Sequence, residues 1–353
     1  MMISSLQRTC AAFAVGIAKQ NVRALSAVPP LHHSRSIVLT TSSKSSPSSA
    51  LRLASTFQAP EPPQSKGHAV YNDIEISTTE QESVARNSDA DAVFVVTGAS
   101  RGIGLQFVKA LQTRSKGTIV ALCRNPGSAQ GLNDFISSLS ADQQSRIKVI
   151  QLDLEDQASV DSAVENIKSS FDRVDMLLNV AGLLGDGKDT PGPERSITKI
   201  ERDWLTKTMN INVIGPVMLS QGLAPLMEQR RRRGKNDDSD GRAIAVIANL
   251  SARVGSISDN GLGGWYSYRI SKSALNQATR TMANELKRKS VWCIALHPGT
   301  TDTDLSKPFQ KNVQEGRLFP VDFTVDSLLG VIDSMKEENT GGLYDWAGKA
   351  IPF

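Results

Sequence analysis

Tyr268 and Lys272 stand four residues apart in Gly263-Gly264-Trp265-Tyr266-Ser267-Tyr268-Arg269-Ile270-Ser271-Lys272-Ser273-Ala274-Leu275-Asn276, a segment that opens a helix. At that spacing the two side chains share one helix face. A free phenol titrates near a pH of about 10 and is a poor acid–base group at neutral pH. A neighbouring ammonium favours the phenolate and moves the phenol toward working pH, and a positively charged nicotinamide would add to the effect. The pair therefore suits proton transfer at a carbonyl or alcohol oxygen, timed with hydride transfer at the adjoining carbon. Lys272 can also hydrogen-bond a nicotinamide ribose and so place the ring.

A hydride carrier needs its own site, and one is legible upstream. Val93–Thr97 reads as a strand, Gly98–Gly104 as a glycine-rich turn, and the residues from Ile103 onward as a helix. The turn is T-G-A-S-R-G-I-G, which brings Gly98, Ser100, Arg101, Gly102, Ile103 and Gly104 to the nucleotide. Gly98 permits a tight turn, Gly102 lets backbone approach a pyrophosphate, and Gly104 lets helix pack on strand. The helix N-terminus then offers N–H groups to the phosphates. A glycine triplet alone is weak evidence; strand, turn and helix in the required order make it strong.

The second strand chooses between dinucleotides. An acidic residue at its end would bind the ribose 2′-hydroxyl of NAD(H) and repel a 2′-phosphate. This strand ends Leu122-Cys123-Arg124-Asn125, and Arg124 with Arg101 could face that phosphate. NADP(H) is preferred over NAD(H). Asp153, beside Leu154 at the end of the third strand, suits the adenine amino group, or simply caps the next helix. Asn179-Val180-Ala181-Gly182 closes the fourth strand, and its small residues (Ala181, Gly182) let backbone approach the adenine ribose.

The elements that must carry these groups follow a regular plan from Ala92. Apolar runs at Val93–Thr97, Thr118–Cys123, Ile147–Leu152, Val174–Asn179, Ala243–Asn249 and Val291–Leu296 alternate with longer helical patterns. That alternation predicts an α/β fold: a doubly wound parallel β-sheet (Rossmann fold) flanked by helices, as a single domain over 92–353. Residues 61–91, polar and with Pro62 and Pro63, read as a linker. The loop 230–242, a basic block followed by an acidic one, reads as a solvated surface.

Residues 1–60 carry six basic residues (Arg8, Lys19, Arg23, Arg35, Lys44, Arg52) and no acid; the first carboxylate is Glu61. Such an Arg- and Ser-rich, acid-free stretch reads as a transit peptide, and a basic amphipathic helix over Leu6–Leu25 favours mitochondria over plastids. A tail with no address would leave the protein cytoplasmic. Of 40 Lys and Arg in the chain, 34 lie beyond residue 60 against all 36 Asp and Glu, so the remainder sits near −2. Nothing there argues for nucleic-acid binding. No apolar run reaches membrane-spanning length. Cys10, Cys123 and Cys293 match no metal spacing, and Cys123 and Cys293 read as buried, inert thiols.

In this order, T-G-A-S-R-G-I-G, N-V-A-G, Y-R-I-S-K and the later Pro298-Gly299, the chain resembles the short-chain dehydrogenases/reductases over about 92–353. It is most similar to the subgroup of C-factor and the sniffer carbonyl reductases, through Gly255-Ser256-Ile257 and the Gly263–Arg269 stretch. The resemblance implies a catalytic tetrad of Asn, Ser, Tyr and Lys. Tyr268 and Lys272 match directly, and Asn212 matches the asparagine that holds a water leading to the lysine. The serine is expected three residues before Gly255, where this chain has Ala252; Ser251 is the candidate replacement, with Ser256 and Tyr266 as other donors. His297-Pro298-Gly299-Thr300-Thr301-Asp302-Thr303 resembles the family's Pro-Gly loop. It would bring Pro298, Gly299, backbone at Thr301 and the Thr303 hydroxyl to the carboxamide and phosphates, leaving His297 structural.

The loops bounding the substrate space (183–196, 256–265 and 302–317) carry Leu183, Leu184, Leu262, Trp265, Leu305 and Phe309 and no cationic cluster. A small neutral carbonyl or alcohol is the expected substrate, and no metal is called for. An NADP(H)-binding signalling protein with vestigial catalysis is the other reading, and Ala252 favours it. Helices at about 203–228 and 266–289 are apolar enough for a homodimer, although burial against the sheet explains the same pattern.

Overall fold

The computed structural model describes residues 57–62, 71–229 and 242–353. The leader 1–56 and most of the loop 230–242 lie outside the described residues. In chain order the elements are α1 (Gln81–Ser88), β1 (Val93–Thr97), α2 (Gly102–Arg114), β2 (Thr118–Cys123), α3 (Gln130–Ser137), α4 (Ala141–Ser145), β3 (Ile147–Gln151), α5 (Gln157–Ser170) and β4 (Met176–Asn179). There follow α6 (Arg202–Met209), a π-helical turn (Asn210–Ile214), α7 (Gly215–Met227), β5 (Ala245–Leu250), α8 (Tyr266–Leu286) and β6 (Val291–His297). The last are β7 (Thr300–Thr301), β8 (Leu318–Phe319), α9 (Val321–Asp333), β9 (Leu343–Asp345) and β10 (Ala350–Ile351).

The predicted strands appear because each is an apolar run buried on both faces, the pattern of a parallel sheet covered by helices. All of β1 is buried, and successive residues serve opposite cores. Phe94 and Val96 pack with Phe107 and Leu111 of α2, Leu132 of α3 and Leu328 of α9. Val93 and Val95 pack with Ile167 of α5, Leu219 and Leu223 of α7 and Leu286 of α8. The eight-stranded sheet runs β10-β9-β6-β5-β4-β1-β2-β3, parallel except for the β9–β10 pair. Strand order reverses between β1 and β4, the point at which open sheets of this kind leave a crevice beyond the carboxyl ends of the strands.

Residues 71–91, expected as part of a linker, instead pack on the domain. Ile74 is buried in the first core, and Arg86 of α1 is buried against Asp333 of α9 at 3.1 Å. Arg114 of α2 reaches the other Asp333 oxygen at 2.7 Å, so one carboxylate ties three helices together. The partner of Arg86 lies 247 residues away, which is why local composition looked like a tether. Cys123 and Cys293 are buried, and burial pushes the Cys293 thiol up to about 12, leaving it protonated and inert. Among the described residues no helix is long and apolar enough to cross a membrane.

Candidate active site

The crevice is built from the glycine turn on one side and the end of β4 on the other. Gly98 has φ +67°, and a Cβ there would sit 3.0 Å from the Ala181 Cα, so only glycine allows the two strand ends this close. A Cβ on Gly104 would collide with the Gly98 carbonyl, so α2 can start directly over the turn only with glycine there. Thr97, buried at the end of β1, accepts from the N–H groups of Val180 (2.9 Å) and Ala181 (3.1 Å) and pins the two ends together. The Thr303 methyl carbon lies 3.5 Å from where a Gly102 Cβ would be, so the Pro298–Thr303 loop closes the crevice from above. Ser100 and Ile103 are part-exposed along this turn. A pyrophosphate fits such a cradle: backbone without side chains, at the N-terminus of a 13-residue helix.

Arg101 and Arg124 both stand exposed at the rim, and Arg101 lies 3.6 Å from Asp304. Asp153 does not cap α5. Asp156 does, accepting from Ala158 N at 3.1 Å, while Asp153 accepts from Glu155 N in a local turn. Leu154 turns its side chain into the protein against Gly215. The Asn179 side chain is likewise internal: its amide donates to Asn249 Oδ1 at 2.8 Å and to Ser220 Oγ at 3.2 Å. What β4 presents to the crevice is the backbone of 180–182. Gly299 has φ +73°, and a Cβ there would collide with the Phe319 ring; the Thr301 hydroxyl pairs with Thr324 of α9 at 2.9 Å, which leaves its backbone for the crevice.

Tyr268 and Lys272 project from the first turns of α8. The Lys272 side chain is buried, donates from Nζ to the Leu250 carbonyl at 2.7 Å, and lies 5.6 Å from the Tyr268 ring centre. Its Nζ is also 3.8 Å from where a Cβ on Gly182 would be. The lysine thus stands between the end of β4 and the phenol. Burial pulls its ammonium down to about 8 and pushes the Tyr268 phenol up to about 12. The lowering of the phenol expected from the lysine alone is therefore outweighed by burial; with these side chains only, Tyr268 is a protonated donor at neutral pH.

Asn212 sits in the π-helical turn, a feature frequent at functional sites. Its side chain accepts from Leu183 N (2.7 Å), donates to Leu183 O (2.9 Å) and donates to Ser271 Oγ (3.0 Å), which fixes the loop after β4 to α8. Ser251 does not take the serine position. It is buried and its hydroxyl donates to Asn276 Oδ1 at 2.6 Å, one turn beyond Lys272. Ser256 is buried too, accepting from Asp259 N at 3.1 Å. Ala252 holds the expected position with an extended backbone (φ −156°, ψ 150°) and no hydroxyl. His297 is half-buried and held neutral, its imidazolium pushed down to about 3 by the desolvation of its ring and by Arg253. Sequence reasoning gave no role to Thr97 and Ser271, although they stand inside T-G-A-S-R-G-I-G and Y-R-I-S-K, or to Glu194; each acts through a partner remote in sequence.

Residues 92–314 match the short chain dehydrogenase family, and the chain belongs to it. Among its relatives is the C-signal protein of Myxococcus xanthus, 29% identical over 180 residues that span 51% of this chain and 93% of that protein. The NADPH-bound carbonyl reductase from chicken fatty liver is 28% identical with a TM-score of 0.62, over 75% of this chain and 99% of the other. The carbonyl reductase Sniffer of Drosophila melanogaster is 27% identical with a TM-score of 0.63, over 75% and 100%. The chain is an oxidoreductase of this family with a mostly parallel Rossmann-like sheet.

Proposed function

We propose that the protein reduces a small neutral carbonyl compound with NADPH, Tyr268 giving the proton. One observation carries the reading: Lys272 Nζ stands between Gly182, at the lip of the nucleotide crevice, and the Tyr268 ring. Bound NADPH supplies the hydride. The residues do the rest. Lys272 would hold the ribose from the crevice side, Asn212 keeps the loop after β4 in place, and the half-buried phenol would donate its hydrogen to the carbonyl oxygen. One hydride at carbon and one proton at oxygen give the alcohol. Pushed up to about 12 by burial, the phenol carries its proton at neutral pH and can give it to a carbonyl oxygen.

The preference for NADP(H) is supported by the absence of an acid at the end of β2 and by exposed Arg101 and Arg124. It is supported too by NADPH in the avian carbonyl reductase. Screening ketones, aldehydes and quinones with NADPH, for wild type and Tyr268→Phe, tests the reading. Turnover lost at least about a hundredfold in the variant is expected. Ala252 favours a second reading, an NADP(H)-binding regulatory protein with residual catalysis, and equal slow rates in both proteins would support that instead. We infer that residues 1–60 direct the protein to mitochondria, which a fluorescent fusion of that segment tests. A homodimer through α6–α8 is suggested by exposed Ile214 and Ile270 and is read by sedimentation.

A further inference from the structure

We propose that Glu194 is a positioning residue for the reaction, latching the loop over the substrate space to the first turn of the catalytic helix. The proposal rests on the reductase reading above. Helix α8 begins at Tyr266 without a capping side chain of its own: the residue before it is Trp265, which has no acceptor to offer. Glu194, 73 residues upstream, fills the gap. Its two carboxylate oxygens accept from Ser267 N at 3.3 and 3.1 Å, and the Ser267 hydroxyl donates to Oε1 as well. Its own carbonyl accepts from Trp265 N at 2.5 Å.

This carboxylate is 6% exposed and forms no ion pair among the described residues. A buried charge without a cation is costly. Here the N–H groups and dipole of a 21-residue helix offset that cost, and only at this end of it. The latch also explains a strained residue. Trp265 is left-handed (φ 55°, ψ 42°), a conformation unfavourable for a bulky side chain. The preceding Gly264, also at positive φ, runs so close that a Cβ would be 3.3 Å from the Glu194 carbonyl. Held this way, the Trp265 ring stands edge-on to Tyr268 at 6.2 Å between centres and tilts against Phe309 at 5.3 Å. Three chain segments (the loop after β4, the start of α8 and the 302–317 loop) therefore meet on the residue next to the catalytic turn, and Glu194 fixes where.

The test compares Glu194→Ala, Glu194→Gln and Ser267→Ala in the full chain. Displacing a reacting group by about 1 Å costs up to about a hundredfold. For Glu194→Ala, kcat per NADPH-binding site should fall at least about tenfold, with the NADPH dissociation constant changed less than about twofold. Glu194→Gln keeps an acceptor and should recover kcat to within about threefold of wild type. A purely structural residue would lower the number of NADPH-binding sites and leave kcat per site intact. Trypsin gives a readout that needs no turnover: cleavage at exposed Lys188, Arg195 and Lys199 should accelerate in Glu194→Ala and, less, in Ser267→Ala. Unchanged kcat per site or unchanged cleavage in Glu194→Ala overturns the proposal. No turnover by wild type, with cleavage accelerated as expected, would sink the reductase reading and leave the latch standing.

Discussion

Replacing Lys272 by methionine keeps the length of the side chain and removes its charge, so it separates what the lysine does for the reaction from what it costs the fold. Burial brings the amine from 10.5 down to about 8, which corresponds to about 3 kcal/mol against the charged form. The side chain is only 3% exposed, so solvent relieves little of that. Methionine forfeits the 2.7 Å hydrogen bond to the Leu250 carbonyl, worth about 1–2 kcal/mol. At pH 7 the variant should be more stable by about 1–2 kcal/mol, or roughly 5 °C in Tm for a domain of this size. The pH dependence fixes the cause. Below pH 8 folded and unfolded chains both carry the proton, and the fold bears the whole penalty; above 10.5 neither does, and the penalty is gone. The Tm advantage of Lys272→Met should therefore shrink as pH rises from 8, vanish between about pH 9 and 10, where the remaining penalty equals the lost hydrogen bond, and be reversed by 10.5. Calorimetry of both proteins at pH 7, 9 and 10.5 reads this out, beside a loss of NADPH-dependent reduction of at least about a hundredfold. A variant less stable at pH 7, by an amount that does not change with pH, would refute the reasoning.

Other perturbations test other parts. Ala252→Ser puts a hydroxyl at an 8% exposed, extended position where the family has its serine; kcat should rise about tenfold or more, and no gain would mean another donor already serves the substrate oxygen. Arg124→Ala should raise KM for NADPH about tenfold and leave that for NADH nearly unchanged, as judged by steady-state rates with both cofactors. Asp333→Ala strands the buried Arg86 guanidinium and should cost about 3–5 kcal/mol by denaturant unfolding. A cost under about 1 kcal/mol would show that residues 71–91 are held by other contacts.

The parts that were legible in the sequence are those whose determinants are local. Strands such as Val93–Thr97 and Thr118–Cys123 announce themselves because a strand buried on both faces must be continuously apolar. The Tyr268–Lys272 pair is legible because four residues span one helical turn, and the glycine turn because each glycine has a local steric reason. What escaped depends on pairings the chain makes at a distance. Helix α1 (QESVARNS) is mostly polar, and Arg86 ties it to a carboxylate 247 residues on. Glu194 meets Ser267 across 73 residues. The serine position could be counted to Ala252, but only the structure shows that the neighbouring Ser251 hydroxyl is committed to Asn276. Asn179 reads in the sequence as part of the nucleotide site, but its side chain is drawn into a network with Asn249 and Ser220 that no spacing rule reveals.

A crystal structure of the NADP⁺ complex is the most direct trial of the central claim. The account expects the pyrophosphate on the turn at Gly98–Gly104, the nicotinamide ribose within hydrogen-bonding distance of Lys272 Nζ, and the Tyr268 oxygen facing the ring with room for a carbonyl between them. A nucleotide bound elsewhere, or a nicotinamide out of reach of that phenol, would contradict it.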